Sequence, residues 1–134
     1  MEKNPDPVVR KNKFNVKGQW IAFTRYFDGD RCLLAVAGEL KHGQTHVLYD
    51  EVVSIFESGV RDVIIDLRDV SYTDTVGLQN LVMIYKYVKD NERLDFSVLV
   101  PEGEIWEILV SCRFDKFINI TRDESTITGD WLQS

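Results

Sequence analysis

Residues 60–82 read VRDVIIDLRDVSYTDTVGLQNLV, and the fold turns on how they are divided. The opening run, VRDVIIDL at 60–67, is short and nearly continuously apolar, the pattern of a strand buried on both faces of a sheet. Leu78, Leu81, Val82, Tyr85 and Val88 then recur at helical spacing. A buried strand feeding an amphipathic helix is the first part of a β-α-β unit, and such units build parallel sheets with right-handed crossovers. Between strand and helix lie the hydroxyls of Ser71, Tyr72, Thr73 and Thr75, the carboxylate of Asp74, and Gly77. They read as the loop that joins the two.

The same patterns continue outward. WIAFTRYF at 20–27 and RCLLAVAG at 31–38 are rich in aromatic and branched residues and flank Asp28-Gly29-Asp30, a strong hairpin signal. Leu48, Val52, Ile55 and Phe56 form one helical face, and Gly59 is placed to stop that helix. LDFSVLV at 94–100 is a further strand, ended by Pro101. Ile105, Ile108, Leu109 and Cys112 give a third helical face, FINI at 117–120 a last short strand, and the residues after it a final short helix. The predicted architecture is α/β: a mixed, mostly parallel sheet of about five strands with an N-terminal β-hairpin and three to four helices.

The length of 134 residues suits one domain. No apolar stretch approaches the roughly 18 residues needed to span a bilayer, and the charged N-terminus lacks the apolar segment of a signal peptide. A cytoplasmic protein with no membrane association is expected. The net charge of −6 argues against phosphate-backbone binding, so no direct nucleic-acid partner is expected. Lys3, Arg10, Lys11, Lys13 and Lys17 outnumber Glu2 and Asp6 near the start, and residues 1–18 read as a flexible basic tail. Cys32 and Cys112 lie in apolar runs and read as buried free thiols.

Catalytic signatures are sparse. The chain contains no Gly-rich phosphate loop, G-x-S-x-G elbow or C-x-x-C pair. His42 and His46 have i, i+4 spacing, but Gly43 lies between them and no further ligand stands close in sequence, so surface histidines are expected rather than a metal site. Asp66, at the end of a strand, has no orienting partner in the sequence to make it a general base. No catalytic residue, metal or cofactor is assigned. The stretch 71–77 holds more interest, because ligands and partners of open α/β sheets gather at the carboxyl ends of strands. Asp74 or Thr75 makes a sound helix N-cap. Gly77 is costly within a helix and leaves room for something to approach the backbone. A helix cap and a phosphorylated hydroxyl, whose added charge the helix N-terminus would tolerate, both fit the local chemistry.

Three segments resemble STAS domains. AVAGEL at 35–40 is similar to the family's strand-end GEL. VIIDLRDVSYTDTVGLQNLV at 63–82 resembles the signature in which a strand ending DL runs through D-S-S-G-L into a helix. EIWEILVSCRFDKFINI at 104–120 resembles the later helix and last strand. The likeness covers about residues 20–120 and implies a single STAS-like domain over 19–134. The family includes bacterial anti-sigma-factor antagonists, stressosome subunits and modules of anion and lipid transport systems.

In the antagonists, a serine/threonine kinase that is also the anti-sigma factor phosphorylates the residue after the signature Asp. This abolishes binding, and a phosphatase restores it. The resemblance therefore implies Thr75 as phosphate acceptor, with Asp74, Val76 and Gly77 around it, and a partner-binding surface formed by Glu39 of GEL with Lys41 and His42 of the loop after it. Val76 stands where the family has a second small hydroxyl, and Lys41 where it commonly has Asp. The alternative implied is an unphosphorylated scaffold or interaction subunit of a stressosome-like or transport complex. Homodimers and STAS–STAS association are compatible with either reading.

Overall fold

Residues 8–16, which the sequence suggests are part of a flexible tail, form a strand, β1 (Val8–Val16), in the computed structural model. The structure describes residues 8–16, 19–40 and 46–121, with side chains over 21–40, 46–74 and 77–121. β1 pairs antiparallel along its whole length with β2 (Gln19–Asp28), from Val8 opposite Phe27 to Val16 opposite Gln19. The dense charge of this segment conceals a strand, because edge strands tolerate and exploit charged residues.

Gly29 and Asp30 then turn the chain into β3 (Arg31–Leu40), antiparallel to β2, with Asp28 opposite Arg31. Gly29 takes φ 63°, which the first central position of this two-residue turn requires. Beyond β3 come α1 (Val47–Glu57), β4 (Asp62–Thr73), α2 (Thr75–Lys89), β5 (Asp95–Leu99), α3 (Glu104–Ser111), a 3-10 turn at Phe114–Lys116, and β6 (Asn119–Thr121). The final helix expected from the sequence lies outside the described residues.

Among the described residues the sheet has six strands in the order β1-β2-β3-β4-β5-β6, with β3 to β6 mutually parallel. The mixed, mostly parallel α/β architecture is as the sequence suggests, with β1 added at the edge. Each helical crossover advances the sheet by one strand in the same direction, so right-handed connections carry all three helices to one face. One hydrophobic cluster occupies that face. It joins Leu48, Val52, Ile55 and Phe56 of α1 and Leu78, Leu81 and Ile84 of α2 to Cys32 and Leu34 of β3 and Val63, Ile65 and Leu67 of β4. A smaller cluster of Leu33, Ile64 and Leu99 lies on the opposite face, with Tyr26 against it. Val63, Ile64 and Ile65 are all buried, which accounts for the unbroken apolar run.

The buried carboxylates Glu51 and Asp66 are both paired. Arg25 of β2 reaches Glu51 of α1 at 2.6 Å, both side chains nearly enclosed. Asp66 accepts from the Arg68 backbone N–H and guanidinium at 2.9–3.0 Å, so this carboxylate, which lies within β4 and not at its end, braces the strand where its register with β3 shifts. Cys32 is buried, and burial pushes its thiol up to about 12 despite the opposing charge of Arg25. Cys112 is exposed, contrary to the sequence reading: α3 ends at Ser111, and Cys112 caps it outside the packed face. No helix of the described residues is long and apolar enough to cross a membrane.

Candidate functional site at the carboxyl end of β4

The hydroxyl-rich stretch is mostly strand. β4 continues past Leu67 to Thr73, and only Asp74 separates it from α2. Pairing with β3 explains how. While β3 advances from Ala35 to Leu40, β4 advances from Asp66 to Thr73, with register shifts after Ala35 and after Gly38. β4 thus takes up extra residues in bulges, which re-aim side chains and are frequent beside functional sites. The result brings the end of β3 alongside the end of β4, with Glu39 opposite Tyr72 and Leu40 opposite Thr73.

This geometry separates the hydroxyls. Ser71 Oγ donates to the Gly38 carbonyl at 3.2 Å. Tyr72 is 45% exposed, a large side chain standing out at this edge. Thr73 is buried, and its Oγ1 lies 3.3 Å from the Asp74 carbonyl. Thr75 and Val76 are the first two residues of α2.

Of the two capping residues that the sequence allowed, Asp74 is the N-cap. Its backbone is extended (φ −122°, ψ −177°), and its Oδ1 accepts from the Gly77 N–H at 2.8 Å. Thr75, already one position inside the helix, has no N-cap role to fill. Asp74→Ala is therefore expected to cost about 1 kcal/mol in urea unfolding, whereas Thr75→Ala should stay within about 0.5 kcal/mol of wild type. Equal losses in both variants would contradict this cap assignment.

Gly77 has a different explanation from the one its sequence context suggests. A Cβ on Gly77 would run into the Leu40 carbonyl oxygen and stand 2.7 Å from its carbon and 2.9 Å from Thr73 Oγ1. The close approach is made by the chain's own β3. The Asp74 N–H also points to the Leu40 carbonyl, at 3.3 Å. Leu40 thus wedges against both the cap and the first turn of α2.

One site residue escapes the sequence reading. Asn80, 1% exposed, accepts from the Tyr49 N–H at 3.0 Å through Oδ1 and donates Nδ2 to the Gly77 carbonyl at 3.1 Å. The available signal is its spacing: Asn80 follows Gly77 by three and precedes Ile84 by four, placing an amide on the buried stripe of α2. Among the residues expected at the partner-facing surface, Glu39 lies beside Tyr72, while Lys41 and His42 lie outside the described residues. His46 is exposed, and no group of three or more His, Cys, Asp or Glu among the described residues could hold a metal.

The STAS domain family model matches residues 23–127, and the chain belongs to that family. An anti-sigma factor antagonist from Mycobacterium paratuberculosis superposes with TM-score 0.70 at 18% identity, covering 84% of this chain and 92% of that one. A putative anti-sigma factor antagonist from Thermotoga maritima gives 0.69 at 21% identity, over 78% and 89%. The antagonist SpoIIAA in its unphosphorylated form gives 0.63 at 13% identity, over 83% and 96%, and its phosphorylated Bacillus form is matched as well. At these identities the likeness establishes a shared fold. No curated protein sequence matches the chain.

Proposed function

We propose that this STAS domain is a non-enzymatic anti-sigma-factor antagonist whose binding is switched at Thr75. In its unphosphorylated form it docks onto a serine/threonine kinase that is also the anti-sigma factor. Phosphorylation of Thr75 releases that partner, and a phosphatase resets the switch.

The observation that carries this reading is the position of Thr75. It is the first residue of α2, beside an Asp74 that already does the capping, at the carboxyl edge of the sheet. The first turn of α2 contains no acidic residue, so its N–H groups and dipole can accept a phosphoryl charge without breaking the fold. Support also comes from the fold shared with antagonists, one of them matched in both phosphorylation states.

An added charge of about −1.5 to −2 would then act locally, by like-charge repulsion across the interface. Thr75→Ala is expected to bind the kinase constitutively. Thr75→Glu is expected to weaken binding about a hundredfold, to be read by titration calorimetry. A Thr75→Glu protein that binds as tightly as wild type would sink the switch.

A second reading, an unphosphorylated scaffold or interaction subunit, draws on the Leu40 carbonyl under Gly77, which gives that glycine a purely internal reason. Intact mass of the protein from its own host, with and without phosphatase, separates the two: a phosphatase-sensitive phosphoryl adduct on Thr75 excludes the scaffold reading.

A further inference from the structure

α1 begins without a cap of its own. Its N-cap residue, His46, sits in the left-handed region at φ 72° and makes no side-chain capping bond. The Tyr49 N–H, one of the orphan donors of the first turn, is satisfied instead by Asn80 from the neighbouring helix. The other end of the same amide holds the Gly77 carbonyl, whose own N–H is bound by the Asp74 carboxylate. The Leu40 carbonyl lies behind the arrangement, where a Cβ on Gly77 would stand. A continuous hydrogen-bonded path therefore runs from the cap beside Thr75, through Gly77 and Asn80, into the start of α1. The Tyr49 ring packs edge-on against Tyr87 of α2 at 6.3 Å, which keeps the two helices in register.

We propose that Asn80 is a positioning residue that couples the charge state of Thr75 to the first turn of α1, so that the end of the β3–α1 connection and the start of α2 respond as one surface. The inference rests on reading Thr75 as the switch. A phosphoryl group at the first helical position competes for the first-turn N–H groups and repels the Asp74 carboxylate. The Gly77 peptide then reorients, its carbonyl carries the Asn80 amide with it, and the Tyr49 bond moves. A buried amide with both ends engaged is suited to this, since a linked network transmits a shift that isolated bonds would absorb.

The test uses the full chain alone, by amide NMR and hydrogen exchange. Thr75→Glu is expected to shift the Tyr49 amide resonance in the otherwise native protein and to leave it unmoved in Asn80→Leu. Exchange at Tyr49 should quicken about tenfold in Asn80→Leu, the equivalent of one lost hydrogen bond. Asn80→Asp keeps the acceptor for Tyr49 but removes the donor to Gly77, so Tyr49 should stay protected yet become unresponsive to Thr75→Glu. Ile84→Val, a core change on the same helix, should preserve the response and so separates coupling from general loss of stability. The proposal is overturned if Tyr49 ignores Thr75→Glu in the native background, or answers it equally in Asn80→Asp or Asn80→Leu. Because no partner is present, that outcome is distinct from failure of the Thr75 binding switch, which calorimetry reads separately.

Discussion

Gly77→Ala is expected to lower stability by about 3 kcal/mol and the melting temperature by about 10 °C, to be read by urea and thermal unfolding. Two effects compete at this position, and they differ in sign. Alanine is the better helix former by up to about 1 kcal/mol, so propensity alone would make the variant more stable. Against it stands the Leu40 carbonyl, into which the new methyl would run. The obstacle is backbone in a paired strand, with Leu40 fixed opposite Thr73, so it cannot swing aside as a flexible side chain would. Relief requires moving the start of α2 away from β3, which also weakens the Asp74 bond to the Gly77 N–H. Overpacking wins, and a Gly77→Ala protein as stable as wild type would refute the wedge.

A larger loss, about 3–5 kcal/mol, is expected for Glu51→Ala. Glu51 lies on the buried stripe of α1 between Leu48 and Ile55, and its carboxylate meets Arg25 Nε at 2.6 Å. The Arg25 side chain is only 11% exposed, so removing its anionic partner strands a guanidinium in the interior. The pair itself need not stabilise the fold, because desolvating both ions offsets much of their attraction. The double variant Arg25→Met/Glu51→Leu should accordingly recover most of the loss and approach wild-type stability. Urea unfolding of the two variants decides it. A Glu51→Ala loss below about 1 kcal/mol would mean that water reaches the pair and screens it.

Much of the architecture was readable in the sequence because its elements keep clean periods. Leu48, Val52, Ile55 and Phe56 are buried as their spacing requires, and so are Leu78 and Leu81. The end of β4 was hidden for a physical reason. Val70 and Thr73 are buried whereas Ser71 and Tyr72 between them are exposed, so the bulged strand does not alternate and resembles a loop. β1 was obscured by its charges. The candidate site was only half legible. Residue types could place a cap at Asp74 or Thr75, but only backbone geometry assigns it to Asp74. Neither the contact of Gly77 with Leu40 nor the amide bridge at Asn80 joins residues close in sequence. Both depend on β3, α1 and α2 meeting, which no local pattern encodes.

The sheet order has a consequence for how the chain assembles. Among the described residues, each strand after β1 pairs with the one that precedes it in the chain. Loop closure is therefore confined to single hairpin or β-α-β steps, in which each parallel strand closes onto its neighbour across one helical crossover, as Asp62 does onto Asp95. Growth can follow synthesis from the N-terminal end, each new unit docking on an edge already formed. In the finished sheet β3 borders both β4 and the start of α2, so the Leu40 carbonyl serves as the surface against which the first turn of α2 is set.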